Sequence, residues 1–280
     1  MALDQIDVDE YDAQMSFIEH LEALRWHIMR ALIAVVIGAI VAFIYGKYIF
    51  DTILLGPTKT SFWSFEKLCD LSYYIYDSDK ICVKQMDFVV KTVNIQEQFY
   101  QHFMIAALGG IILAMPYILY EIYRFVKPAL KRNEKKYSGA IIGFASLLFF
   151  SGILFGYFIL TPISVNFLGN YTLSDSIAKE FTVSSVVGFI SLLTVGSGVI
   201  FELPIVIYFL AKTGLLTAQN MRDYRRIAVV VILVLSAIIT PPDVTSQVIL
   251  SFPIFMLYEV GIIIAKRVEQ NRITKELAQQ

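Results

Sequence analysis

The chain enters its first long apolar run at Ile28 and leaves it at Phe50, reading IMRALIAVVIGAIVAFIYGKYIF. Only Arg30 and Lys47 carry charge within this run, which exceeds the roughly 20 residues that a helix needs to cross a hydrocarbon core. Five further apolar runs follow, separated by charged or polar breaks. We therefore predict six transmembrane spans, at about 28–50, 99–122, 138–160, 183–210, 227–240 and 246–265.

Composition also indicates a membrane protein. Hydrophobic residues make up 57% of the chain and the mean hydropathy is +0.64, whereas soluble domains are roughly 45–50% apolar. We predict an all-α polytopic membrane protein with a cytoplasmic N-terminal amphipathic helix over 1–27, a six-span domain over 28–265 that includes an exported loop at 51–97, and a cytoplasmic tail at 266–280. Because residues 1–24 are acidic and lack a basic n-region, we expect no cleavable signal peptide.

The positive charges predict the orientation of the spans. Every arginine flanks the start of the first run, the end of the second, the start of the fifth or the end of the sixth. Short basic loops mark the cytoplasmic side of a membrane. Both termini are therefore predicted to be cytoplasmic.

The fifth and sixth runs are short. The fifth has about 13 residues between Arg226 and Pro241, near 20 Å of helix. Either the bilayer thins there or protein shields the ends. A re-entrant hairpin formed by the last two runs is the alternative, although basic residues flanking the pair favour two crossings.

We predict that the N-terminal segment forms an amphipathic helix on the cytoplasmic membrane surface. Ser16 and Glu19 fit a capping box, and an apolar stripe then leads into the first span. Glu19 and Glu22 project from the other face. Anionic lipid repels acidic side chains, so a positively charged partner other than lipid is expected for this face.

The two cysteines, Cys69 and Cys82, both fall in the predicted exported loop. An exported loop can hold a disulfide, and the spacing permits one. Two free thiols packed as small apolar groups are the alternative.

Several motifs, in order along the chain, resemble the TatC family, the multispanning subunit of the twin-arginine protein translocase. They are His20-Leu21-Glu22-Ala23-Leu24-Arg25, Met115-Pro116-Tyr117, Phe125-Val126-Lys127-Pro128-Ala129-Leu130 with Glu134, Phe201-Glu202-Leu203-Pro204, and Thr-Pro-Pro-Asp-Val-Thr-Ser-Gln at 240–247. The resemblance implies a receptor in the cytoplasmic (inner) membrane that binds signal peptides carrying two adjacent arginines on folded cargo. It also implies a multimeric complex with TatA-type and TatB-type single-span subunits, driven by the protonmotive force.

Carboxylate side chains suit a signal peptide with two arginines, because a guanidinium forms bidentate, charge-assisted hydrogen bonds with a carboxylate. Glu134 matches the arginine-binding glutamate of the family, and basic neighbours such as Arg132 should keep it ionised. The glutamate usual in the family's N-terminal motif is Ala23 here. Our hypothesis is that Glu19 and Glu22 share its role. Arg25 and the aromatic Phe125 complete the predicted signal-peptide site.

Glu202 lies within the fourth predicted span, where a charge costs at least about 2.5–3.5 kcal/mol. We expect it to face the protein interior or a wet cavity, with Pro204 loosening the helix nearby. The resemblance implies a contact for a partner helix or a local bilayer defect at this position, and an interhelical hydrogen bond that only locks packing is the alternative. The resemblance adds four residues at or near the exported turns, namely Pro57, Pro241, Asp243 and Gln247. Glu121 is expected to pair with Arg124, and Glu259 to lie buried against a neighbouring span.

The sequence contains no motif for catalysis, a metal or another cofactor, and none for nucleic acid. An enzyme is therefore not expected. The alternatives to a translocase receptor are an ion-coupled secondary transporter of a small solute, using Glu202 and Glu259, and a structural scaffold for other membrane subunits. Secondary transporters usually show paired repeats and matched broken helices, and we find neither in the sequence.

Overall fold

The structure is a computed structural model that describes residues 17–76, 82, 86, 88–126, 138–174, 176, 178–240 and 244–277. Most of these residues are helical. The α-helices are α1 (Phe17–Ile44), α2 (Gly46–Tyr48), α3 (Trp63–Tyr76), α4 (Glu97–Val126), α5 (Ser138–Phe155), α6 (Thr161–Asn170), α7 (Val183–Phe201), α8 (Leu203–Lys212), α9 (Ala218–Asp223), α10 (Arg225–Ile239) and α11 (Val244–Leu277). Two π-helical segments, Ile49–Leu54 and Gly156–Leu160, and a 3₁₀ turn, Gly56–Thr58, join some of them.

Five stretches of the described helices are long and apolar enough to cross a membrane, so the chain is a multi-pass membrane protein. They are Glu22–Ile44, Glu97–Phe125, Gly139–Asn170, Val183–Lys212 and Val244–Asn271. The fifth predicted span corresponds to α10, which has 15 residues. That length gives about 22 Å of helix, less than a hydrocarbon core of about 30 Å.

Two helices differ from the prediction. The N-terminal helix and the first span form one element, because α1 continues without a break through residues 27 and 28. The sixth predicted span, 246–265, lies within a longer helix, since α11 has 34 residues and extends to Leu277. Its end is rich in Lys, Arg, Glu and Gln, which favour helix even outside lipid, so the apolar run underestimates it.

Helices α1 and α4 pack closely along a seam of small residues. A Cβ atom added at Gly110 would lie 2.6 Å from the carbonyl oxygen of Val35, and one added at Gly38 would lie 2.9 Å from the carbonyl oxygen of Gly110. Only glycine lets the two backbones approach this closely. The other faces of α1 are largely exposed within the chain, as expected of a helix that faces lipid.

The remaining helices pack around α7 and α11. The contacts between these helices are formed by fully buried side chains on α5, on the π-helical segment after it, on α7 and on α11. They are Phe149, Leu160, Ile190, Leu193, Leu250 and Ile254. Helix α8 packs along the second half of α11, where Ile207 and Ala211 meet Ile262 and Ala265. This packing brings the start of α10 beside α11.

One end of the molecule, which we call the sheet end, carries a two-stranded parallel sheet. Strands β1 (Val89–Lys91) and β2 (Glu180–Thr182) pair with Val89 opposite Glu180. The all-α prediction missed this sheet, because three-residue strands show no periodicity of their own. Cys69 and Cys82 form a disulfide at this end, the first of the two states that the sequence left open.

The Glu97 carboxylate ties two helix starts together at the sheet end. It accepts hydrogen bonds from the backbone N–H groups of Val93, at 2.9 Å, and of Ser184 in the first turn of α7, at 2.7 Å. Acidic groups are favourable beside the N-terminus of a helix. The opposite end, which we call the basic end, carries the start of α1, the end of α4 and the segment from α8 to α10.

Candidate functional site

At the basic end, α1 and α4 are joined by a polar contact between His27 and Glu121. The His27 Nδ1–H donates to Glu121 Oε2 at 2.5 Å, and only 2% of the Glu121 side chain is exposed. The expected pairing of Glu121 with Arg124 is wrong, because Glu121 points into the α1 interface while Arg124 is exposed. Phe125 lies one turn further along α4. Its ring centroid is 6.1 Å from that of His27, with the two rings nearly perpendicular.

Three of the predicted signal-peptide residues lie near this contact. Glu22 and Arg25 are exposed on α1, five and two residues before His27, and Phe125 is half-buried on α4. Glu19 belongs to the first turn of α1, and its side chain lies outside the described part of the chain. Glu134 and Arg132 also lie outside the described residues. The described part of the site thus comprises one exposed acidic and one exposed basic side chain on α1 and an aromatic side chain on α4.

Glu202 faces the protein interior, as the cost of a charge in lipid predicts. Helix α7 ends at Phe201 and α8 begins at Leu203, so Glu202 occupies a one-residue interruption, and Pro204 is buried in the first turn of α8. The side chain is 7% exposed. Within the described residues, neither carboxylate oxygen has a hydrogen-bond partner.

The other predicted residues lie in separate places. Pro57 is buried in the 3₁₀ turn at the sheet end. Gln247, near the start of α11, donates from Nε2 to the carbonyl oxygen of Leu233 on α10 at 3.1 Å. Pro241 and Asp243 lie outside the described residues. Glu259 is half-exposed rather than buried, since its Oε2 binds Arg225 Nη2 at 2.7 Å and draws the carboxylate to the rim of α10.

A cavity of about 490 Å³ opens at the sheet end, on the far side of the molecule from the predicted signal-peptide residues. Lys47, Asp51 and His102 contribute its polar lining, and none of the predicted site residues lines it. Among the described residues, no group of three or more His, Cys, Asp or Glu side chains could hold a metal ion.

No contact was assigned to His27 from the sequence. A signal was present. His27 continues the stripe of α1 that includes Leu24, Ala31 and Gly38, at helical spacing, and this stripe faces α4. A histidine on such a stripe requires a polar partner on the facing helix, and Glu121 is that partner.

The fold and these positions define a class, a multi-pass helical membrane protein with polar groups at one rim and a buried carboxylate in a broken span. Comparison with known proteins defines the family. The model of the family described as Sec-independent protein translocase protein (TatC) matches residues 19–253, and the chain belongs to the TatC family.

Relatives and solved structures of this family match nearly the whole length of the chain. The TatC proteins of Blattabacterium sp. subsp. Periplaneta americana and Carboxydothermus hydrogenoformans are each 34% identical to it, over 92% and 95% of this chain and 98% of each relative. A crystal structure titled as the twin arginine translocase receptor TatC is 31% identical and superposes with a TM-score of 0.65, covering 90% of this chain and 100% of that one. A second, in DDM, is 32% identical with a TM-score of 0.69, covering 89% and 100%.

Proposed function

We propose that this chain is the signal-peptide receptor and core subunit of a twin-arginine protein translocase, which exports folded proteins using the protonmotive force. The observation that carries the proposal is the match to solved TatC receptors over 90% of this chain and 100% of theirs. The family membership supports a membrane component of a translocase that works in a complex.

The chemistry at the basic end supports recognition of arginine pairs. Glu22 is exposed on α1 and accessible to an incoming guanidinium. Each charge-assisted hydrogen bond to a carboxylate contributes roughly 1.5–3 kcal/mol, and lysine lacks the planar fork that makes two of them at once. In this proposal Glu134 binds one arginine, while Glu19 and Glu22 share the second. Arg25 and Arg132 orient these carboxylates, and Phe125 contacts the apolar segment of the signal peptide.

The proposed topology has six spans with both termini in the cytoplasm, which puts the basic end inside and the sheet end outside. Five long apolar helices support it, and α10 supplies the sixth crossing. The Arg225–Glu259 pair lies where α10 begins, so charge marks the inner limit of the apolar layer there. The bilayer thins beside α10, or a partner helix covers its ends.

The proposed partners are TatA-type and TatB-type single-span subunits. Glu202 is the proposed contact for a polar group on a partner helix, because its buried carboxylate has no partner within the described residues. Pro57, Pro241, Asp243 and Gln247 are assigned to shaping the exported turns.

Photocrosslinking to a synthetic signal peptide tests the proposal. The photoreactive residue replaces Trp26, which is 59% exposed beside Glu22 and Arg25, and in a control protein it replaces Tyr74 at the sheet end, which is 89% exposed. We expect an adduct at position 26 with a peptide carrying two arginines, and about tenfold less with two lysines, the loss of roughly one charged hydrogen bond.

Three outcomes would contradict parts of the proposal. Equal adducts with both peptides would reject arginine recognition, and no adduct with either would favour the transporter or the scaffold. If Glu19→Ala and Glu22→Ala together left the arginine-dependent adduct intact, the shared role of these residues would be wrong, and Glu134 would act without them.

A further inference from the structure

Small residues line part of the interface between α1 and α4. Several residues of α1 that face α4 are small: Gly38 meets Gly110, and Ala42 meets Gly109. A Cβ atom added at Gly109 would lie 2.7 Å from the Cβ of Ala42. Small residues allow the two backbones to approach closely, but they carry no polar side chain that could join the helices by a hydrogen bond.

Two polar contacts stand at the ends of this seam. The inner clasp is the His27–Glu121 hydrogen bond at the basic end. The outer clasp is His102 of α4, whose ring stacks on Phe43 of α1 with centroids 4.0 Å apart, while its Nε2 lies 3.0 Å from the Phe43 carbonyl oxygen. The two clasps are separated by about 24 Å of α1.

The inner clasp lies beside the predicted binding residues. Arg25 and Glu22 precede His27 by two and five positions, so at about 100° per residue their side chains point roughly 140–160° away from the face that His27 presents to α4. Their direction in space therefore depends on how α1 is rotated against α4. The same imidazole contacts the edge of Phe125. The His27 ring therefore lies against Phe125 of α4, while the rotation of α1 that places this ring also sets the direction of Glu22 and Arg25.

We propose that His27 and Glu121 are positioning residues for the signal-peptide site: their hydrogen bond sets the rotation of α1 at which Glu22 meets the arginine pair of a signal peptide. This inference rests on the proposed function. Neither side chain binds the peptide itself, because Glu121 is 2% exposed and its Oε2 already accepts from His27.

The test measures binding of two fluorescent signal peptides, one with two arginines and one with two lysines, to the full chain in lipid nanodiscs. The main variant is His27→Leu with Glu121→Leu, which removes the clasp without leaving an unpaired buried carboxylate. The single change Glu121→Gln is the rescue variant, because its amide oxygen still accepts from His27 Nδ1–H. His102→Leu is the matched control, since it removes the outer clasp on the same pair of helices.

We expect the double variant to weaken binding of the arginine peptide about tenfold, as the loss of one charge-assisted hydrogen bond would, and to leave the lysine peptide unchanged. Glu121→Gln should bind within about threefold of the natural chain, because it preserves the hydrogen bond. His102→Leu should lower the melting temperature yet leave the arginine peptide's Kd within about twofold, since it acts far from Glu22.

Two results would overturn the inference: unchanged arginine-peptide affinity in the double variant, or equal weakening by the double variant and by His102→Leu, which would indicate general loosening of the α1–α4 pair. Failure of the proposed function gives a different result. In that case the natural chain itself would bind the arginine and lysine peptides equally.

Discussion

At the scale of the residue, Glu202 is a buried carboxylate whose burial costs stability. A buried carboxylate without a hydrogen-bond donor loses its hydration and gains nothing in exchange. Within the described residues, Glu202 has no donor, and its neighbour Pro204 begins a new helix rather than supplying one. Packing alone therefore does not explain this side chain, which argues for a contact with another subunit.

We predict that Glu202→Leu stabilises the isolated protein by about 1–3 kcal/mol, the penalty of an unsatisfied buried polar group, and lowers export of folded cargo. Thermal unfolding in detergent and an export assay measure the two effects. Glu259→Leu is the control, because it removes a half-exposed carboxylate paired with Arg225 and should cost about 1 kcal/mol or less. If Glu202→Leu destabilised the protein instead, Glu202 would be a packing residue.

At the scale of the element, the α1–α4 seam depends on the absence of side chains. We predict that Gly110→Ala destabilises the protein by about 1–3 kcal/mol, because the new methyl group would meet backbone atoms of Val35 and Ala39 that cannot move aside. Gly139→Ala is the matched control. Its added Cβ meets nothing within 4 Å on α5, so helix propensity should make it neutral or slightly stabilising. Melting temperatures of both variants give the comparison.

A neutral Gly110→Ala would mean that the two helices are less tightly packed than the seam indicates. An equal loss in both variants would assign the effect to helix propensity rather than to the contact between α1 and α4.

The elements also show which features a sequence predicts. Long apolar runs identify the helices that cross lipid, because a bilayer requires a continuous apolar length. The interruption before Pro204 was likewise predicted, since proline removes a hydrogen bond of a helix, although α4 and α11 continue through Pro116 and Pro253. The His27–Glu121 contact was not, because it joins positions 94 residues apart. The β1–β2 sheet was missed for the same reason, as its strands lie about 90 residues apart and each has only three residues.

At the scale of the whole molecule, the two ends are held by different means. The sheet end combines the β1–β2 pairing, the Cys69–Cys82 disulfide and the hydrogen bonds of Glu97. The basic end has the His27–Glu121 hydrogen bond and the Arg225–Glu259 ion pair instead. A disulfide persists only in an oxidising compartment, so this asymmetry agrees with a sheet end outside the cell membrane and a basic end inside.

The order of the two ends across the membrane gives the last prediction, which concerns α10 and α11. Single cysteines at four exposed positions, Trp26, Tyr171, Tyr224 and Val244, are introduced into a chain whose Cys69 and Cys82 are replaced by serine. A membrane-impermeant maleimide is then applied to intact cells. Six crossings require labelling at positions 171 and 244 but not at 26 and 224, because only the first pair lies at the proposed outer side.

In a re-entrant hairpin, α10 would turn back before reaching the outer side, and position 244 would stay unlabelled while position 171 still reacted. The reaction at position 244 therefore decides whether α10 crosses despite spanning only about 22 Å.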